Sequence, residues 1–182
     1  QGRDCARLEA TRGERGLAKA GGLTMGVDMG CDERRGCASQ TGLGDDMGKY
    51  GFDKLYGDGN LGGRTAYFQE PYADAPDQCG VPNYTQEELN AKVQAAYDRN
   101  IQVGMHTIGD KTLDMLLTAF ETVYHANPKP DPRFRIIHMS VVNDALLARA
   151  RKLPGRLDGQ PLCCSSNLHS GATQRGPRGD GR

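Results

Sequence analysis

The sequence predicts an α/β domain built on parallel strands, and three observations carry that expectation. Strand and helix periodicities alternate between residues 54 and 153, in the order strand, helix, strand, helix, strand, helix. The helical stretches run 11 to 15 residues, enough to return the chain to the start of a neighbouring strand through right-handed βαβ crossovers. Leu, Ile, Val and Phe supply 23 of residues 51 to 153, but only 5 of residues 1 to 50 and 3 of residues 154 to 182, so the middle alone can bury a core.

The elements follow in order. Lys54, Leu55 and Tyr56 form a short strand that breaks at Gly57. Thr85 and Glu88 make a capping box, and Leu89, Val93, Ala96 and Tyr97 share one face of the helix that follows, through about Arg99. Ile101, Val103 and Met105 alternate with Gln102 and Gly104 and run into His106, a second strand ending on a polar residue. Asp110 is expected to cap the next helix, whose stripe is Leu113, Leu116, Leu117, Phe120, Val123 and Tyr124. Pro128, Pro130 and Pro132 stop it. Phe134 to Met139 is a third strand with His138 near its end, and Asn143 or Asp144 caps a last helix carrying Leu146, Leu147, Ala150 and Leu153.

Composition narrows the partners. The 182-residue chain carries 23 Lys plus Arg and 23 Asp plus Glu, a formal net charge of +0, so no global field favours nucleic acid or an anionic membrane. No run approaches the ~18 apolar residues of a spanning helix, and the first residues lack a secretory apolar stretch. The expected setting is soluble and cytoplasmic. Gln1 is not an initiator Met, so the chain reads as processed or as a piece of something longer. Residues 1–50 and 154–182 hold 17 of the 25 Gly, and the chain is expected to divide into a poorly patterned segment 1–41, a domain 42–153 and a disordered tail 154–182. The six Cys form no CxxC pair and no zinc-finger spacing; free thiols fit better than a disulfide framework, because the middle has its own core.

In parallel α/β folds chemistry gathers at the carboxyl ends of strands, where this sequence puts Lys54, His106 and His138. Two imidazoles and a desolvated Lys make a first shell for a divalent transition metal, and such a Lys can add carbon dioxide to present a carboxylate. The plainer alternative for each His is a hydrogen-bonded structural residue. His125 and His169 read as exposed bystanders. Gly57, Gly59 and Gly62 match GxGxxG, but the next twenty residues contain three Pro and no helical stripe to receive a pyrophosphate, so a tight turn with Asp58 and Arg64 facing the site is the better reading.

Four stretches taken together carry a family resemblance: KLYGDGNLGGRTA from Lys54, EPYADAPDQCG from Glu70, QVGMHTIGD from Gln102 and RFRIIH from Arg133. In that order and spacing, residues 42–153 resemble the amidohydrolase superfamily, in its amidohydrolase family 3 branch of N-substituted formamide deformylase-like enzymes. The resemblance implies a partial (β/α)8 TIM-barrel-like slice that hydrolyses amide or other non-peptide C–N bonds of a small-molecule substrate with water activated by a divalent metal, zinc foremost. It implies that Lys54, carbamylated, and His106 and His138 are metal ligands from strands four, five and six. Asp58, Arg64 and Asp110 fall on motif positions whose implied role is to shape the site. Residues 17 to 30 resemble an earlier strand of the same family more loosely.

Three departures qualify the pattern. None of the four His are two apart, so the family's strand-one HxH pair has no counterpart; no Asp stands where the strand-eight base is expected; and Ile137 replaces the usual Glu before the strand-six His. The matched part is about half of a closed barrel. The chain is therefore expected to be an amidohydrolase by family, seen as a fragment with at most weak metal binding and little hydrolysis of its own; the alternative is a non-catalytic α/β remnant that serves as a binding module.

Overall fold

The computed structural model describes residues 44–45, 48–49 and 52–159. Strands β1 (Gly44–Asp45) and β2 (Gly48–Lys49) form a small antiparallel pair. The main sheet has four strands in the order β3 (Asp53–Tyr56), β4 (Val103–Thr107), β5 (Phe134–His138) and β6 (Gly155–Gly159), all parallel. Helices α1 (Gln86–Asp98), α2 (Asp110–Ala126) and α3 (Asp144–Ala150) make the connections. The expected alternation is present, element by element.

Local chemistry explains the boundaries. The capping box is formed: the Thr85 hydroxyl accepts from the Glu88 amide at 3.2 Å, and the Glu88 carboxylate accepts from the Thr85 amide at 2.9 Å. Asn143 caps α3, its side chain accepting from the Leu146 amide at 2.9 Å. The expected cap of α2 is corrected. Gly109 holds the cap position and Asp110 is the first helical residue, where its charge still suits the helix N-terminus. Its Oδ1 is engaged instead by the Gln69 amide at 3.0 Å, a bond to a loop 41 residues away.

The sheet also extends beyond residue 153. Gly155–Gly159 pairs along its whole length with β5, so the first residues of the expected tail are a strand. A strand ladder is made by backbone groups, which low apolar content does not remove. Gly155 packs so closely on β5 that a Cβ would lie 2.7 Å from the Phe134 carbonyl oxygen, a contact only glycine permits. Residues 1–43 and 160–182, most of both flanks, lie outside the described residues.

Leu55, Val103, Met105, Phe134 and Ile136 project from one face of the sheet into the main core, against Leu89 and Val93 of α1, the Leu113, Leu116, Leu117 and Phe120 stripe of α2, and Leu146 of α3. Alternation then puts Lys54, Tyr56, Gly104, His106, Arg135 and Ile137 on the opposite, helix-free face. A second cluster, Leu61, Ala66, Phe68, Tyr72, Ile108 and Val141, fastens the long β3–α1 loop over the carboxyl edge of the sheet. Within it the Tyr72 hydroxyl donates to the Ala66 carbonyl at 2.8 Å, and burial pushes its pKa up to about 12. Among the described residues no helix is long and apolar enough to cross a membrane.

Candidate functional site

Strand register orders the helix-free face into layers. Lys54, Gly104 and Arg135 pair side by side; one layer nearer the carboxyl edge stand Tyr56, His106 and Ile137. Lys54 thus starts one layer below His106, its Nζ 5.1 Å from the centre of the Tyr56 ring. Burial and, secondly, the Arg135 guanidinium lower its pKa, which favours the neutral amine. Gly104 leaves room for Phe52: a Cβ there would sit 2.3 Å from the Phe52 ring, which forms the floor of the site and stacks under Arg135 at 4.6 Å.

His138 pairs with Thr107 rather than with His106, so a regular strand would send the two imidazoles to opposite faces. They meet nonetheless. His138 has φ +72 and Met139 φ +46, left-handed values that take His138 out of the strand's alternation. The rings of His106 and His138 lie edge to face with centroids 4.7 Å apart, and Tyr56 flanks His106 at 5.7 Å. His106 and His138 are therefore brought together at the carboxyl edge, whereas Lys54, expected to close its strand there, is the second residue of β3, one layer below, with Tyr56 at the strand's end.

A buried carboxylate organises the surroundings. Asp58 is 2% exposed and accepts four hydrogen bonds: from the amides of Tyr67 (3.0 Å), Ile108 (3.1 Å) and Gly109 (2.8 Å) and from the Thr112 hydroxyl (2.9 Å). It knots the β3–α1 loop, the β4–α2 turn and the first turn of α2 into one body. The same loop presents the Gly59 carbonyl to His106 Nε2 at 2.8 Å, with Asp58 Oδ1 at 3.7 Å from that nitrogen. A carbonyl only accepts, so Nε2 carries a proton and Nδ1 is the nitrogen left to face the site.

The other expected site residues are placed differently. Asp110 ties down Gln69 at the roof. Arg64 turns outward, pairing with Asp74 at 3.0 Å with 42% of its side chain exposed, and is not brought to the imidazoles. His125 is exposed on the last turn of α2, and His169 lies outside the described residues. No helix follows the GxGxxG stretch; a turn does. Among the described residues, no three His, Cys, Asp or Glu side chains gather as a metal cluster, and Cys79 is a free thiol. Sequence reasoning passed over Tyr56, in phase with Lys54 on the same strand, and Thr112, whose hydroxyl completes the Asp58 knot.

Comparison with known proteins bears on the same residues. A family profile described as "Amidohydrolase family" matches residues 7–174, wider than the 42–153 stretch that carries the motifs. A Bacillus subtilis (strain 168) protein named as an amidohydrolase, YtcJ, is 37% identical over 120 residues, covering 66% of this chain and 22% of that protein. Protein LONG AFTER FAR-RED 3 of Arabidopsis thaliana is 42% identical over 85 residues, covering 47% of this chain and 15% of its own. The chain thus spans about a fifth or less of these relatives. Crystal structures of uncharacterized metal-dependent hydrolases from Pyrococcus horikoshii OT3 and Pyrococcus furiosus superpose with TM-scores of 0.66 and 0.65 at 33% and 31% identity, each over 76% of this chain and 27% and 28% of theirs. Four parallel strands with helices on one face are accordingly a slice of a (β/α)8 barrel, and the candidate site lies on its carboxyl edge.

Proposed function

The chain belongs to the amidohydrolase family, and we propose that it supplies strands four to seven of a metal-dependent hydrolase acting on amide or other non-peptide C–N bonds of small molecules, N-substituted formamides foremost. The observation that carries this reading is the edge-to-face pair of His106 and His138, two imidazoles from adjacent strands brought together against the sheet's own alternation.

The donor set fits a divalent ion of borderline softness, zinc foremost: two imidazoles, one with its Nε2 turned to the Gly59 carbonyl, and a Lys whose pKa burial lowers. His106, His138 and Lys54 would hold it, with Lys54 first adding carbon dioxide to present a carboxylate. The ion, when bound, supplies Lewis acidity that makes water more acidic and polarises the amide carbonyl. The remaining work belongs to the chain. Gly59 and Asp58 orient His106 from behind. Phe52 and Ile137, 5% and 7% exposed, keep water from the floor, and Tyr56 forms the wall between Lys54 and His106. Balanced charge fits a small-molecule partner rather than nucleic acid or membrane, in a cytoplasmic setting.

The test is calorimetric titration of the full chain with zinc, alongside His106→Ala and His138→Ala, followed by turnover of N-formyl and N-acyl amides. Each substitution is expected to weaken binding at least about tenfold, in line with loss of one ligand. Zinc binding that neither substitution changes overturns the reading.

A further inference from the structure

The segment that follows His138 carries two features that the metal reading does not use. His138 and Met139 are consecutive non-glycine residues with left-handed φ of +72 and +46. Immediately after them, the Ser140 hydroxyl is enclosed and has no hydrogen-bond partner among the described residues, although Ser140 as a whole is only part-buried. Each feature costs free energy; together they fall on three successive residues at the end of the strand that bears His138. Strain and unpaired polar groups concentrated in this way mark segments shaped for a ligand.

The backbone fixes where Ser140 sits. Val141 donates its amide to the Ile108 carbonyl at 3.1 Å and is buried in the roof cluster. Ser140 is thus one Cα step, about 3.8 Å, from a residue bonded to the chain two places beyond His106, and at most about 7.6 Å in Cα from His138. The backbone of Ser140 is thereby tethered at the carboxyl edge, between His138 and the residue bonded to Ile108. A serine side chain has three staggered χ1 wells, so its oxygen can be redirected without moving the backbone.

We propose that Ser140 contacts the substrate, its hydroxyl donating a hydrogen bond to the carbonyl oxygen of a small carboxamide held beside the His106–His138 pair. The inference rests on the proposed hydrolase reading and adds a residue to it. A neutral donor suits this role because it gains strength as charge grows on the carbonyl oxygen, and it adds no second charge near Lys54 and Arg135. A hydroxyl without an internal partner gives up no bond within the protein when it turns to the ligand.

The experiment uses the full chain with zinc present and N-methylformamide as the probe, following the backbone amide signals of Ile108 and Val141 by NMR in the unmodified chain, Ser140→Ala and Ser140→Thr. The expected result is saturable shifts in the unmodified chain and in Ser140→Thr, with binding about threefold to tenfold weaker in Ser140→Ala, the range of one neutral hydrogen bond. The melting temperature of Ser140→Ala should stay level or rise, since an unpaired hydroxyl has been removed. Equal binding by Ser140→Ala, absence of probe shifts in the unmodified chain, or a lower melting temperature in Ser140→Ala overturns the proposal. Zinc titration of the same samples separates the two readings. Zinc binding without a Ser140-dependent probe shift defeats Ser140 alone, and a Ser140-dependent shift without zinc binding supports Ser140 while defeating the metal.

Discussion

Replacing Asp58 perturbs the site at its most connected point. Its carboxylate accepts four bonds of 2.8 to 3.1 Å from inside the protein, and the donors belong to three different stretches of chain. In Asp58→Ala the Ile108 and Gly109 amides lose their acceptor in a buried place, at about 1–3 kcal/mol for each unsatisfied group, while the Thr112 hydroxyl can rotate to another partner. A net loss of about 3–5 kcal/mol follows, a large share of the ~5–15 kcal/mol that stabilises an ordinary domain. Asp58→Asn keeps one acceptor oxygen but turns an NH2 group toward donors, and should cost about 2–3 kcal/mol. Urea unfolding of the full chain measures both, with the slope checked for constancy so that midpoints can be compared. A second readout is local: the loosened loop no longer holds the Gly59 carbonyl on His106, so the ¹⁵N shifts of the His106 ring should move from one tautomer toward a mixture. A cost below about 1 kcal/mol for Asp58→Ala, with an unchanged His106 tautomer, refutes the idea that this carboxylate ties the loops together.

Two further predictions concern packing and charge. Gly104→Ala places a methyl 2.3 Å from the Phe52 ring and should cost about 1–3 kcal/mol, with partial recovery when Phe52→Leu is added; unfolding midpoints that show no such recovery separate Gly104 from Phe52. Arg149 on α3 donates to Glu121 on α2 at 3.0 and 2.8 Å and holds that carboxyl below its ordinary pKa, so the pair's contribution is complete above the ordinary Glu range near 4.5 and fades as pH falls through the lowered folded value. Arg149→Met should therefore flatten the acid limb of the stability curve and cost about 1 kcal/mol or less at pH 7, the pair being part-exposed; identical acid limbs contradict it.

Much of this was legible in the sequence, because periodicity acts locally. The Leu113 to Val123 stripe, the Thr85–Glu88 box and the strand-to-polar endings at His106 and His138 each declare themselves within a few residues. What stayed hidden acts at a distance. That Asp58 reaches Gly109, 51 positions on, and that Asp110 spends its carboxylate on Gln69 rather than on its own helix, depend on how loops stack over the sheet. Strand β6 escaped for a different reason: its residues carry little apolar signal, and its place in the sheet rests on backbone pairing with β5. Arg64 shares a motif with Asp58, yet a left-handed backbone and an Asp74 partner turn it to solvent.

The histidine pair shows why the carboxyl edge is the costly part of this slice. Counting along the strands places both imidazoles at the edge, but register sets His106 opposite Ile137 and leaves His138 one residue out of phase. A regular φ at His138 would carry its ring toward the helical face, where Phe134 and Ile136 already fill the core. The left-handed turn at His138 and Met139 resolves this, at about 1–3 kcal/mol for each residue so held. Something must hold it, and Val141 does: its amide on the Ile108 carbonyl and its side chain in the roof cluster draw the chain across to β4 within three residues of His138. The roof is in turn fixed through Ile108 and Tyr67, both bonded to Asp58. The meeting of the two imidazoles is thus a property of the loop body above the sheet as much as of the strands that carry them.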